Sequence, residues 1–335
     1  MLNRRTFGVV MAVVVLALVA LAWAPQWAAA QQKPLEKVTI RLDWINSGYH
    51  AVWYYAKDRG IFAEHGIDLE VLEGRGSATT AQTVGNESVM FGTADTGAVM
   101  ALISQGLPVK AVAGYLRQSP LALIFPKKNG WKTFQDVAGA RIGFSAGGAT
   151  ALIFPAVLKA TGLEGKVRLV YMEPAAKPTA LLEGRVDAID SFDFLQVPLF
   201  EAKGLPVSTF PYAGTGVNVP GLGVIASRNL IQKNPDLVRR FVAASVRALD
   251  ATQKDPERAL QSLVKVAPTL DRAIALRVLE LSFNLFQSEA SKGKPLGWIP
   301  PADIEKAQDI LVQHGGIKNR QPIEAYFTNE FVPGS

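Results

Sequence analysis

The chain contains no cysteine and only three histidines in 335 residues. The first absence removes a disulfide framework, a thiolate metal site, a nucleophilic cysteine and a lipid-modified cysteine after a leader. His50, His65 and His314 are far apart and lack metal-ligand spacing, so no metal site is expected. A Ser-His-Asp order, a phosphate-binding loop and a paired-carboxylate spacing are also missing, which leaves neither catalytic machinery nor a cofactor motif. Repeats of solenoid type and low-complexity tracts are absent too. The formal net charge is +6, but lysines and arginines are scattered, so a nucleic-acid surface is not expected. The apolar run from Val9 to Ala24 falls short of the roughly 20 residues that span a bilayer. Arg4 and Arg5 before it and Ala28-Ala29-Ala30 after it give residues 1–30 the form of a cleavable secretory signal. Arg4-Arg5-Thr6-Phe7 resembles a twin-arginine leader, and general secretory signals carry such pairs as well. Its removal leaves a formal charge of +4 and a soluble protein outside the cytoplasm.

What is present is ample apolar material, 49% of the chain, at a length suited to two domains of ordinary size. The most informative stretch runs from Leu42 to Phe62. Strand character over Val38 to Trp44 ends in Asn46-Ser47-Gly48, a turn that also supplies capping oxygens for a helix over Ala51 to Lys57; Gly60 stops that helix. Ligands in open α/β sheets sit beyond the carboxyl ends of strands, which puts Asp43, Trp44, Asn46, Tyr49 and His50 at a candidate site. Taken singly, Trp44 and Tyr49 also read as core aromatics and Asp43 as a turn residue.

From Val38 onward, short β-rich runs alternate with helical patterns, the mark of parallel βαβ units. Ile67 to Leu72 is followed by a glycine-broken turn containing Arg75 and a helix opening at Ser77. The strand Ser88 to Gly92 leads through Thr96 into a helix over Ala98 to Gln105, and Val109 to Tyr115 is the next strand. Leu121 to Pro126 and Leu222 to Ser227 read as two extended crossings. Between them a second βαβ series has strands at Arg141 to Phe144, Val167 to Met172 and Val186 to Ile189. The tail is helical, over Pro235 to Lys254, Pro256 to Val266, Asp271 to Phe286 and Ala302 to His314. The expected architecture is an α/β pair of lobes, residues 31–125 with 225–335 and residues 126–224, joined by two interdomain crossings and able to close on a ligand.

LDWINSGYHAVWYYAKDRGIFAEHGIDLEV, GRGSATTAQTVGNESVMFGTADTGAVM, FQDVAGARIGFSAGGAT and LLEGRVDAIDSFDFLQVPLFEAKG resemble, in this order, blocks of the periplasmic substrate-binding proteins of importers for nitrate, sulfonates and thiamine-precursor pyrimidines. The resemblance implies a venus-flytrap fold, a monomer in the periplasm, and delivery of a small molecule to an ABC permease and its ATPase. The block from Leu42 to His50 is most similar to the pyrimidine-binding branch, although Ile45 stands where that branch usually has proline. For such a ligand Trp44, Tyr49 and Tyr171 offer stacking faces, and Asp43 or Glu173 an acceptor for an exocyclic amine.

Other residues point to an anion. Ser145 to Thr150, including Gly148, lie at a helix start where the sulfonate and nitrate relatives place an oxyanion, and Arg75 offers a guanidinium. Asp187, Asp190 and Asp193 oppose an anion if they face the cleft, and Asp187 reads more simply as a capping or turn residue. Trp298, in a proline-bounded loop, reads as packing or as a cover for the cleft. A third reading is an enzyme, since eukaryotic pyrimidine synthases resemble the same proteins; those carry a cysteine-rich motif that this chain lacks and work inside cells.

Overall fold

A computed structural model of the chain describes residues 34–335. The signal expected over residues 1–30 lies outside them. Two five-stranded sheets form the frame. The first is built from β1 (Glu36–Arg41), β2 (Ile67–Leu72), β3 (Phe91–Asp95), β4 (Val109–Gly114) and β10 (Leu222–Ser227), in the order β2-β1-β3-β10-β4. The second contains β5 (Leu121–Pro126), β6 (Arg141–Phe144), β7 (Arg168–Tyr171), β8 (Ala188–Phe192) and β9 (Val207–Pro211), in the order β7-β6-β8-β5-β9.

The two runs expected as crossings are themselves strands inside the sheets. β5 lies antiparallel between β8 and β9 in the second sheet, and β10 lies antiparallel between β3 and β4 in the first. All six residues of each are buried, so their unbroken apolar runs belong to strands covered on both faces. The chain therefore passes between sheets over residues 115–120 and returns over residues 212–221.

Local chemistry sets the corners. Ser47 and His50 form a reciprocal cap, with the Ser47 amide 3.2 Å from His50 Nδ1, and the short turn Gly48–His50 runs into the helix Ala51–Asp58. Gly60 then adopts φ 71° and breaks the helix. Asp95 caps the helix Thr96–Ser104 by accepting from the Ala98 amide at 2.9 Å. The helix Pro235–Lys254 covers the first sheet through Phe241, whose ring stacks on Phe91 at 3.7 Å between centroids and packs on Phe62 at 5.3 Å. The helix Asp193–Ala202 and the strand β9 had no counterpart in the sequence reading. Pro198 sits within that helix, Pro206 precedes the strand and Pro211 ends it, so proline punctuation hides both.

Candidate functional site

The carboxyl ends of β1 and β2 in the first sheet, and of β6, β7 and β8 in the second, converge on a small cleft. Asp43, Trp44, Tyr49, Ser77, Gly148 and Thr150 from the sequence reading all line it. Each is delivered by a chain segment just beyond a strand end, the place where an α/β sheet leaves side chains free of the ladder.

On the first-sheet side, Asp43 is 2% exposed and fully engaged by the protein. Its Oδ2 accepts from the Tyr49 hydroxyl at 2.7 Å, while Oδ1 accepts from Thr93 Oγ1 at 2.8 Å and lies 3.3 Å from His50 Nε2. Burial, and then the Asp43 charge, raise the Tyr49 hydroxyl well above its ordinary pKa, so it stays a proton donor to that carboxylate. Asp43 thus holds Tyr49 and His50 in place, and the Trp44 indole beside it faces the space. Burial also lifts Asp95, one strand away, to about 7, with the Asp43 charge adding to the effect and the Ala98 amide opposing it.

On the second-sheet side the centre is Asp190, in the middle of the buried strand β8. Lys177 Nζ donates to its Oδ1 at 3.0 Å and to its carbonyl at 2.7 Å, and the Thr150 hydroxyl donates to its Oδ2. Lys177 and Asp190 are both 1% exposed. The ammonium also stands 5.0 Å from the centre of the Trp44 ring, so a cation from one sheet's helix meets an aromatic face from the other. Asp43 and Asp190 against Lys177 leave the lining with more acid than base.

The two sides touch around the cleft. Tyr49 packs on Phe194 and Phe192, at 5.4 Å and 6.3 Å between centroids. Farther out, the Ala78 amide donates to the Gly147 carbonyl at 3.1 Å, and Gly76 approaches Gly147 so closely that a Cβ on Gly76 would collide with that carbonyl. Beyond this glycine contact lies a second, open recess lined by Arg75, Ser145, Tyr171 and Glu173 together with Thr79 and Gly147. Four residues that the sequence reading put with the ligand thus stand outside the contact that shuts the inner cleft. Tyr171 is 63% exposed there.

Three more occupy other positions. Asn46 accepts from the Tyr54 hydroxyl at 2.8 Å and its amide donates to Glu73 Oε1 at 2.5 Å, away from the cleft lining. His50 is fully buried behind Asp43. Thr96 lines a separate cavity with Arg117. Asp187 pairs with Arg141 at 2.8 Å outside the cleft, and the guanidinium holds its carboxyl below the ordinary range. The sequence reading missed Lys177, Leu121 and Phe192, and it named Asp190 without its partner. A carboxylate in the strand-like run Ala188–Phe192, polar besides only at Ser191, was the available signal, since a buried charge needs a counter-charge. Among the described residues no group of His, Cys, Asp or Glu is placed to hold a metal, and no helix is long and apolar enough to cross a membrane.

Two mixed sheets whose strand ends meet across a cleft define the two-lobed periplasmic binding protein fold. The sulfonate-binding protein SsuA of Xanthomonas axonopodis pv. citri, solved with MOPS, superposes with a TM-score of 0.68 over 87% of this chain and 98% of its own, at 17% identity. The chain belongs to the NMT1/THI5 like family, whose profile matches residues 47–259. Among curated relatives, the riboflavin-binding protein RibY of Chloroflexus aurantiacus is 27% identical over 327 residues, covering 93% of this chain and 91% of that one. A 4-amino-5-hydroxymethyl-2-methylpyrimidine phosphate synthase of Saccharomyces cerevisiae is 23% identical over 290 residues, covering 79% of this chain and 85% of its own.

Proposed function

We propose that this protein is the extracytoplasmic solute-binding component of an ABC importer and captures a small planar heteroaromatic solute, of pyrimidine or flavin type, without chemical change. The lobes of this reading are residues 34–114 with 222–335 and residues 121–211, hinged at the two connections. The observation that carries it is the Trp44 indole, set at a strand end over a cleft between the sheets. An indole face suits a planar ring, and Ser77 and Ser191 offer polar partners to ring nitrogens and carbonyls. Closure follows when the ligand adds contacts with the second lobe to those with the first; it shifts the balance only by its extra affinity for the closed form. The closed monomer then docks on the permease and its ATPase.

The acid excess of the lining favours a neutral or amine-bearing ring over an anion. The sites that suggested an anion are used otherwise: Thr150 serves Asp190, and Arg75 stands outside the glycine contact. The synthase relative keeps an enzyme in view, and the cysteine-rich motif that the resemblance attaches to that activity has no counterpart in a chain without cysteine.

A thermal-shift screen of the protein against thiamine pyrimidine precursors, riboflavin, aromatic acids, sulfonates and nitrate tests the reading. A ligand that binds the native state raises the melting temperature once its concentration passes the dissociation constant. A rise with pyrimidines or riboflavin is expected. A rise with sulfonates or nitrate alone would overturn the heteroaromatic assignment.

A further inference from the structure

A separate small cavity, of the size of a single ion or water, holds a guanidinium that lacks hydrogen-bond acceptors. Gly114 and Arg117 of the outward connection line it, with Pro220 of the return connection, Thr96, Pro300 and Asp303. Arg117 is 6% exposed, and its Nε and Nη1 find no acceptor among the described residues. The guanidinium lies close against Gly114, where a Cβ would collide with Nη1 and Cζ, so the glycine is what lets the cation into this space. Asp303 faces the same cavity, yet no ion pair joins it to Arg117 among the described residues. Burial lowers Arg117 to about 10, which still leaves it charged at neutral pH.

A buried cation whose Nε and Nη1 lack an acceptor, with the Asp303 carboxylate near enough to be felt but not bonded to it, is a costly arrangement for a folded chain. The surroundings carry both signs: Asp303 lies in the first turn of one wall helix and Asp95 caps the other. The helices Thr96–Ser104 and Pro301–Gln313 both begin at its wall, and helix starts carry partial positive charge. Those helix starts alone would mean little; the unpartnered guanidinium gives them a common target.

We propose that this cavity is a binding site for a small monovalent inorganic anion of the halide class, held by Nε and Nη1 of Arg117. The anion ties together the two connections and the start of the last long helix, three segments that otherwise meet around a guanidinium without acceptors. This site is independent of the solute cleft and does not rest on the function proposed for it.

The test is thermal melting of the purified protein in sodium chloride against sodium gluconate at matched ionic strength. Wild type is expected to gain about 2 °C or more in chloride, along a saturating curve. Arg117→Met should lose the chloride response, and Asp303→Asn should keep or strengthen it because a competing carboxylate is gone. Equal melting of wild type in both salts overturns the proposal, as does an undiminished chloride response in Arg117→Met. A drop in Asp303→Asn that is the same in both salts, without a chloride response, overturns it by making Asp303 the partner. Should Arg117→Met fail to fold, wild-type crystals grown in bromide decide the matter. An anomalous peak against Arg117 supports the site, and an ordered water without anomalous signal overturns it.

Discussion

The glycine contact at the cleft rim gives a prediction that separates stability from binding. Gly76 adopts φ 140° and ψ 146°, a region that side chains avoid, and faces the Gly147 carbonyl of the opposite sheet. Gly76→Ala therefore has two distinct effects. The backbone strain, of order 1–3 kcal/mol, belongs to the loop itself and acts whether the lobes are apart or together. The collision with the Gly147 carbonyl exists only when they meet, and it also displaces the 3.1 Å bond from the Ala78 amide, worth about 1 kcal/mol. Losing that bond alone weakens ligand binding about fivefold, and the steric part adds to it. Scanning calorimetry reads the first effect and isothermal titration the second. Gly147→Ala is the companion: its backbone is not in the left-handed region, and its Cβ would press only on the Thr79 hydroxyl, a side chain that can turn. It should lower affinity less and leave the melting temperature nearly unchanged. A Gly76→Ala protein that melts lower but binds with an unaltered Kd would refute the reasoning, because the glycine contact would then play no part in holding ligand.

Three further outcomes follow from the same geometry. Trp44→Ala should weaken an aromatic ligand by tenfold or more, about 1.4 kcal/mol, and an unchanged Kd by titration removes Trp44 from the site. Lys177→Met leaves Asp190 buried against Thr150 alone and should cost about 3–5 kcal/mol in urea unfolding, with Lys177→Met/Asp190→Asn recovering more than half of it; a loss below about 1 kcal/mol would show that the pair is not isolated from water. Asp95 is raised from 3.8 to about 7 in the fold, so the folded protein keeps a proton that the unfolded chain has released. Its contribution is present in full below about pH 4 and is lost as pH rises through 7. Asp95→Asn, which can still accept from Ala98, should then melt higher than wild type at pH 8, with the difference shrinking towards pH 5.

The sequence carried much of the fold because the relevant signals are local. Ser47 and His50 cap a turn, Gly60 ends a helix, and the alternation of strand and helix sets the class. It misread β5 and β10 as crossings because an unbroken apolar run looks the same whether it links two lobes or lies in the middle of a sheet. Strand order is non-local information: β10 pairs with β3 across more than a hundred residues. The site divides the same way. Asp43, Trp44 and Tyr49 lie within one turn and were legible together, but Asp43 proves to be held by Thr93, fifty residues on. Lys177 was invisible because, read along the chain, a lysine beside Pro178 suggests a solvated helix end. Only the fold brings it to Asp190 and over Trp44.

The role proposed for the cleft is capture of a planar heteroaromatic solute and its release unaltered. The most direct measurement is titration of the purified protein with thiamine pyrimidine precursors and riboflavin, followed by mass spectrometry of the ligand recovered from the complex. Saturable binding of at least one of them, weakened in Trp44→Ala and with its mass unchanged, is the predicted result. Binding of none, or recovery of a converted product, would contradict the account.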